Sequence, residues 1–172
     1  MTTTLYLLAA MVVGVCAATQ AAMLASIGRE KSAYEATWIN MAAAITGIAV
    51  ILVVRGLGGR SPLLAAPFDR FGLFVAVAIA AAVALAVSVR GLEPYYAITG
   101  FFALAYLLGI GYAAPKMGIA LFLVGVTFGQ LGGAVVYDHA GAFGNAVHSA
   151  GALRLVGLAV VLAGAVVVRF AD

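Results

Sequence analysis

The feature that most constrains this chain is a series of apolar stretches, each about as long as a bilayer is thick. A helix needs about 20 apolar residues to cross the hydrocarbon core of a membrane. Ionisable residues fall mostly between these stretches, which favours helices over a barrel, whose strands alternate polar and apolar residues. The sequence therefore predicts an all-α, polytopic membrane helix bundle. We expect a single membrane domain over residues 1–172 with about six transmembrane helices, approximately at 5–27, 34–54, 71–89, 94–113, 117–137 and 152–170.

Composition excludes several other classes of protein. Hydrophobic residues make up 66% of the chain and charged residues 9%, whereas about a quarter of the residues of a soluble domain are charged. The nine basic residues are scattered singly and form no patch for nucleic acid, despite a net charge of +3. The single cysteine, Cys16, lies inside an apolar stretch and is expected to be an inert packing residue. No cluster of acid, base or metal-ligating residues lies at membrane depth, so neither a metal, a cofactor nor an enzyme is expected.

The predicted fifth helix, from Gly118 to Asp138, combines small residues with one uncharged amide. Gly125, Gly129 and Gly133 fall on one side at helical spacing, a pattern that lets another helix backbone approach closely. Gln130 lies on an adjoining stripe with Thr127, Ala134 and Tyr137. Two interpretations stay open: the amide of Gln130 contacts a substrate, or it only hydrogen-bonds a neighbouring helix.

Three other predicted helices also carry polar or aromatic residues at positions from which they can reach a site. Gln20 places a second amide at membrane depth in the first helix, and Asn40 lines one side of the second helix, with Trp38 at interfacial depth. In the fourth helix, Tyr106 lies deep enough that its hydroxyl needs a partner. We expect a substrate site formed by Gln20, Trp38, Asn40, Tyr106 and Gln130.

The carboxylates nearest the membrane lie at predicted helix ends. Glu35 falls in the first turn of the second helix, and Glu93 precedes Pro94 at the start of the fourth, where the helix dipole favours a negative charge. Asp138 and His139 stand side by side at the end of the fifth helix, where a solvated role is expected in preference to proton shuttling. Glu35 and Glu93 are accordingly interpreted as helix-end groups, in preference to a buried proton site at Glu35, and Asp138 as a solvated residue.

Several segments of the chain carry a further pattern: Gln20-Ala-Ala-Met-Leu, Asn40 with Gly47, Pro94-Tyr-Tyr through Gly109, Lys116-Met-Gly, Gly129-Gln130-Leu-Gly-Gly and Asp138-His-Ala-Gly. Together they resemble the YdcZ-like family of the drug/metabolite transporter (DMT) superfamily, which is related to small multidrug resistance and EamA-type transporters. The resemblance implies a bacterial inner-membrane exporter built from a small multi-helix unit that pairs with a second copy or forms half of a fused inverted repeat. Similar chains have five helices, so residues 70–90 are expected to be an extra one.

The last predicted helix and the loop charges indicate how copies of the chain assemble. Gly157 and Gly164 lie seven residues apart, nearly on one face, a spacing similar to the last-helix dimer motif of small multidrug resistance transporters. With six helices, one side of the membrane holds five basic residues and the other four, which is almost no bias for either orientation. We expect a homodimer, antiparallel if both orientations insert, while a parallel or heteromeric pair remains an alternative.

These observations predict a secondary transporter in the bacterial inner membrane. Its substrate is expected to be a small neutral or amphipathic metabolite or drug, because the polar side chains at membrane depth carry no charge. Transport would proceed by alternating access in a dimer, with the lipid bilayer and the substrate as the other partners. The alternative from another class is a non-transporting membrane scaffold subunit, in which the glycine faces are interfaces and the amides only join helices.

Overall fold

The computed structural model describes residues 3–60 and 62–170, in which six α-helices and no strand occur. Two short 3-10 segments, Pro94–Ile98 and Ala142–Gly144, lie between these helices. The predicted all-α helical bundle class is confirmed. The α-helices are α1 (Thr3–Glu30), α2 (Ala33–Leu57), α3 (Phe71–Ser88), α4 (Thr99–Met117), α5 (Ile119–Ala140) and α6 (Ala152–Phe170).

Five segments of the described chain are long and apolar enough to cross a membrane. They are α1, α2, α3, α5 and the segment Pro94–Met117, which joins a 3-10 turn to α4. The portion of α6 from Ala152 to Gly164 is also apolar but shorter than these five. Each of the six stretches expected from the sequence therefore corresponds to a helix, with ends that differ by a few residues.

The junction between α4 and α5 differs from the prediction. The sequence analysis ended the fourth helix at residue 113, whereas α4 continues through Pro115 to Met117. A proline in the last turn leaves only the carbonyl four residues before it without its usual donor, and this is tolerated near a helix end. The chain instead turns at Gly118, whose φ of +88° suits a residue without a side chain. Lys116 consequently belongs to the last turn of α4 and not to a loop.

The chain divides into two compact units, and the expected single membrane domain stays a prediction. The first unit combines Met1–Ser26 with Ala105–Asp172, so it contains most of α1 and α4 together with α5 and α6. The second unit is Ile27–Leu104, which contains α2, α3 and the first turns of α4.

The core of the first unit is small and tightly packed. Its largest fully buried side chain is Phe122 of α5, which packs with alanines from α1 and α4. Small residues allow three helix backbones to approach one another, the usual solution where lipid removes the hydrophobic drive for helix association. Buried members of this cluster are Ala10, Ala113, Ala114, Phe122 and Val126.

The second unit is organised around α2, which packs along α3. At the N-terminal end of α2, Ser32 occupies the cap position and its hydroxyl accepts a hydrogen bond from the Tyr34 N–H at 3.2 Å. The Ser32 hydroxyl in turn donates to Glu35. In α3, only Phe74 and Leu85 are buried, and the other residues are intermediate or exposed.

Candidate functional site

Glycines on both α1 and α5 allow these two helices of the first unit to touch. A methyl group added to Gly129 would overlap the Met11 carbonyl of α1, and one added to Gly14 of α1 would overlap the Val126 carbonyl of α5. Gly125 and Gly133 face α1 as well, where an added Cβ would lie 2.9 Å from the Cβ atoms of Ala10 and Ala18, respectively. The sequence analysis singled out the glycines of α5 but missed Gly14.

An open apolar groove of about 370 Å³ runs along this α1–α5 contact. Gly129, Gly132 and Gly133 deepen it because they carry no side chains, and Phe128 and the valines form its walls. Tyr137 is the only lining residue with a polar side-chain group. The lining residues are Met11, Val12, Val15, Phe128, Gly129, Gly132, Gly133, Val136 and Tyr137.

A hydrogen bond between Thr19 and Tyr137 joins α1 to α5 beside this groove. The two hydroxyl oxygens lie 2.7 Å apart, and the Thr19 hydroxyl also lies 2.9 Å from the Val15 carbonyl. A threonine has one hydroxyl proton, and a carbonyl can only accept. Thr19 therefore donates to Val15, and Tyr137 donates to Thr19. Tyr137 was recognised in the sequence as part of the polar stripe but not as a site residue.

Gln130 lies in the middle of α5 with its side chain exposed. Within residues 3–60 and 62–170, its amide makes no hydrogen bond. An amide at membrane depth is costly to leave without a partner, since lipid tails offer neither donors nor acceptors. The structure thus places Gln130 where it can contact a molecule outside this chain.

The two other predicted site residues of the first unit are half-buried. Gln20 follows Thr19 in α1, and Tyr106 lies on α4. The Tyr106 ring packs on Phe122 with centroids 6.3 Å apart, so its aromatic face belongs to the core.

Asn40 and Thr99 form a buried polar pair in the second unit. Asn40 is 3% exposed and Thr99 is 0% exposed, and the Thr99 hydroxyl donates to the Asn40 side-chain oxygen at 3.4 Å. Gly100 lies against the Asn40 carbonyl and the Ala44 backbone, leaving no space for a side chain. Asn40 therefore also joins α2 to the start of α4, and neither Thr99 nor Gly100 was predicted to have this role.

Trp38 lies near the start of α2 with 58% of its surface exposed. Its indole N–H donates to the Ser88 hydroxyl at the end of α3, at 2.9 Å. An exposed ring with a satisfied N–H is typical of the aromatic belt at a membrane interface.

Gly157 and Gly164 are exposed on α6, and a Cβ added to either would meet no atom within 4 Å. These glycines therefore pack against nothing in the described part of the chain. At the start of the same helix, Arg154 forms an ion pair of 3.0 Å with Asp138 at the end of α5.

The acidic groups nearest the membrane lie at helix ends, as expected. Glu35 accepts from Ser32 in the first turn of α2, and Asp138 pairs with Arg154. Glu93 occupies the cap position before Pro94 without a side-chain capping bond. Among the described residues, no group of three or more His, Cys, Asp or Glu side chains is placed to hold a metal ion.

Five apolar spans with uncharged polar side chains along them define a multi-pass helical membrane protein. A protein-family model with the description "Putative inner membrane exporter, YdcZ" matches residues 61–167, more than half of the chain. The chain belongs to this family of inner-membrane exporters, and the resemblance noted in its sequence is confirmed. The matched range includes α3, the helix that the sequence analysis set apart from the family. No curated protein and no solved structure matches the chain significantly.

Proposed function

We propose that this protein is a secondary transporter that exports a small neutral or amphipathic molecule across the inner membrane. The observation that carries the proposal is Gln130, an exposed amide in the middle of a membrane-spanning helix that has no hydrogen-bond partner in the described chain. Such a residue has a stabilising role only if another molecule supplies the partner. Membership in an exporter family supports the proposal that this molecule is the substrate.

The charge of the polar groups supports a substrate without a simple positive charge. Thr19, Gln20, Asn40, Tyr106 and Gln130 are all uncharged. The carboxylates of Glu35 and Asp138, by contrast, are engaged at helix ends. A cation moved into the membrane without a counter-charge carries a large desolvation cost. A molecule that hydrogen-bonds amides and buries an apolar portion avoids this cost.

The α1–α5 groove provides a surface for the apolar portion of such a molecule. Its lining is apolar along most of its length, and Tyr137 is one of the lining residues. Gln130 lies one position after Gly129, on the adjoining side of α5. An amphipathic molecule lying along α5 would therefore have both an apolar surface and hydrogen-bonding groups within reach.

Alternating access needs gates on both sides of a site, which a chain of this size obtains most simply by pairing. Gly157 and Gly164 form an open face on α6 that suits such pairing. We therefore place the transporter as a dimer in contact through α6. The same face would serve the alternative function, a non-transporting scaffold that assembles with another membrane protein.

The test combines ligand screening with flux measurements. Purified protein is screened by thermal shift against a metabolite library and a set of quaternary ammonium compounds, and each stabilising compound is then tested for flux in proteoliposomes. A ligand at a hundred times its Kd stabilises the folded protein by about 2.7 kcal/mol. We expect neutral or amphipathic hits that are transported, whereas a scaffold would give no flux of any hit.

Gln130→Leu separates a substrate contact from a structural one. Leucine fills a similar volume and removes only the amide, so we expect flux to fall to background with an unchanged thermal unfolding midpoint. The matched control is Leu131→Ala, at the next exposed position of α5, which should retain flux. Loss of folding with normal flux per folded molecule would instead assign Gln130 to helix association.

A further inference from the structure

The end of α4 and the start of α1 bring one lysine against two tyrosine rings. The Lys116 ammonium lies 3.4 Å from the centroid of the Tyr112 ring and 5.3 Å from that of Tyr6. The two ring centroids are 6.5 Å apart. Aromatic faces attract a cation, so the rings hold the ammonium in place at the surface. This cluster lies at the end of a membrane span, at the level where tyrosine and lysine meet lipid headgroups.

The positive charge of Lys116 is not neutralised within the described chain. Among the residues whose side chains the structure describes, no carboxylate pairs with Lys116, whereas Arg154, for example, pairs with Asp138 at 3.0 Å. Tyrosine rings orient the ammonium but carry no net charge, so Lys116 remains able to attract an anion. The two phenol groups beside it add hydrogen-bond donors.

An open apolar groove of about 440 Å³ is lined by neighbours of this cluster in the chain, since Gly111 precedes Tyr112 and Pro115 precedes Lys116. It follows the last two turns of α4 and the first residues of α5, and it contains Gly111 and Gly118, which have no side chains. A Cβ added to Gly111 would meet no atom within 4 Å. The groove is lined by Ile110, Gly111, Ala114, Pro115, Gly118 and Ile119.

We propose that this corner of the first unit binds one anionic phospholipid. Lys116, Tyr112 and Tyr6 bind its phosphate headgroup, and one of its acyl chains lies in the groove between Ile110 and Ile119. Such a lipid has a negatively charged headgroup and apolar acyl chains. The positive charge of Lys116 at the membrane surface suits the headgroup, and the apolar groove suits an acyl chain. This site is independent of the transport function proposed above.

The test is native mass spectrometry of the purified protein with phosphatidylglycerol or with phosphatidylcholine of the same acyl chains. One basic residue near an anionic surface contributes about fivefold in affinity. We expect phosphatidylglycerol to be retained about fivefold more than phosphatidylcholine, and Lys116→Gln to remove this preference. Lys116→Arg should keep it. The control is Arg90→Gln, which removes a basic residue after α3 and should leave the preference unchanged.

Gly111→Leu tests the apolar part of the site, since it adds a side chain to the groove without overlapping the protein at Cβ. We expect lower retention of both lipids, whereas the control Gly72→Leu, at another open glycine, should retain both. The proposal would be overturned if Lys116→Gln and Arg90→Gln reduced the preference for phosphatidylglycerol equally, or if Gly111→Leu retained both lipids normally. Retention of a second protein chain in place of lipid, dependent on Lys116, would overturn it as well.

Discussion

Gly129 and Gly132 lie three residues apart on α5, yet their surroundings are opposite. A Cβ at Gly129 overlaps the Met11 backbone, whereas a Cβ at Gly132 meets no atom within 4 Å. We expect Gly129→Ala to destabilise the protein by about 1–3 kcal/mol, because the backbones of α1 and α5 must separate. Gly132→Ala should be neutral, or stabilising by up to about 1 kcal/mol through helix propensity. Unfolding in detergent measures both, and equal midpoints for the two variants would contradict the close contact.

Glu35 provides a second prediction at the scale of single residues. Its carboxylate accepts from the Ser32 hydroxyl at the start of α2, an arrangement in which glutamine can replace glutamate. We expect Glu35→Gln to keep both stability and flux. Ser32→Ala should lower stability by about 1 kcal/mol with flux per folded molecule unchanged. If a stable Glu35→Gln protein loses flux and its dependence on a proton gradient, Glu35 is a proton site and the capping interpretation is wrong.

Gln130 and Asn40 illustrate how far the sequence can assign a role to one residue. Both are amides within apolar helices, and both were predicted to bind substrate. Asn40 is 3% exposed and paired with Thr99, whereas Gln130 is exposed and makes no hydrogen bond in the described chain. The difference arises because the start of α4 covers the side of α2 that carries Asn40. The side of α5 that carries Gln130 is open. Their role in substrate binding stays a prediction.

Between elements, the Thr19–Tyr137 hydrogen bond gives a measurable coupling of α1 and α5. We expect Thr19→Val and Tyr137→Phe to cost less together than the sum of their separate effects, because each removes the same bond. Coupling energies of such bonds in membranes average about 0.6 kcal/mol and reach about 1.7. Detergent unfolding of the two single variants and the double variant measures this coupling.

A control cycle pairs Thr19→Val with Trp38→Phe. Trp38 lies in the other unit, and its hydrogen-bond partner, Ser88, is not a partner of Thr19. The effects of these two variants should add. Additive effects for Thr19 and Tyr137 as well would show that the hydrogen bond contributes nothing to the contact of α1 with α5.

For the whole molecule, the near balance of basic residues predicts insertion in both orientations. We expect single cysteines at Leu63 and Ser149, each in a Cys16→Ala background, to be labelled from both sides of the membrane by an impermeant maleimide. Leu63 is fully exposed between α2 and α3, and Ser149 is exposed between α5 and α6. Labelling of each position from one side alone would eliminate the antiparallel homodimer.

Two variants serve as controls for this assembly. Adding charge with Leu64→Lys and Phe68→Lys, both exposed, should bias the chain toward one orientation and restrict labelling of Ser149→Cys to one side. Gly157→Leu should abolish pairing without unfolding the chain, because its surroundings on α6 are open. A dimer that survives Gly157→Leu in crosslinking would place the interface elsewhere.

The helices themselves follow from local properties of the sequence. Apolar length determines that the described segments span a membrane, and local turn chemistry at Ser32, Pro94 and Gly118 determines where helices begin and break. The predicted end of the fourth helix, residue 113, was four residues before the observed end of α4 at Met117. These properties can be predicted because each depends on residues a few positions apart.

The faces of the helices were decided by the tertiary structure. In a soluble helix, a polar side reveals which side is exposed, but in these membrane helices nearly every side is apolar, so periodicity does not distinguish a packed face from an open one. Gly14 and Gly100 resemble any other glycine in the sequence until Val126 and Asn40 are seen against them. Gly157 and Gly164 have the spacing of a packing motif but contact nothing in the described chain. The sequence by itself determined that this protein is a helical membrane bundle. Only the packing of its helices decided which polar groups are joined and which remain open, because burial depends on a neighbour that is distant in sequence.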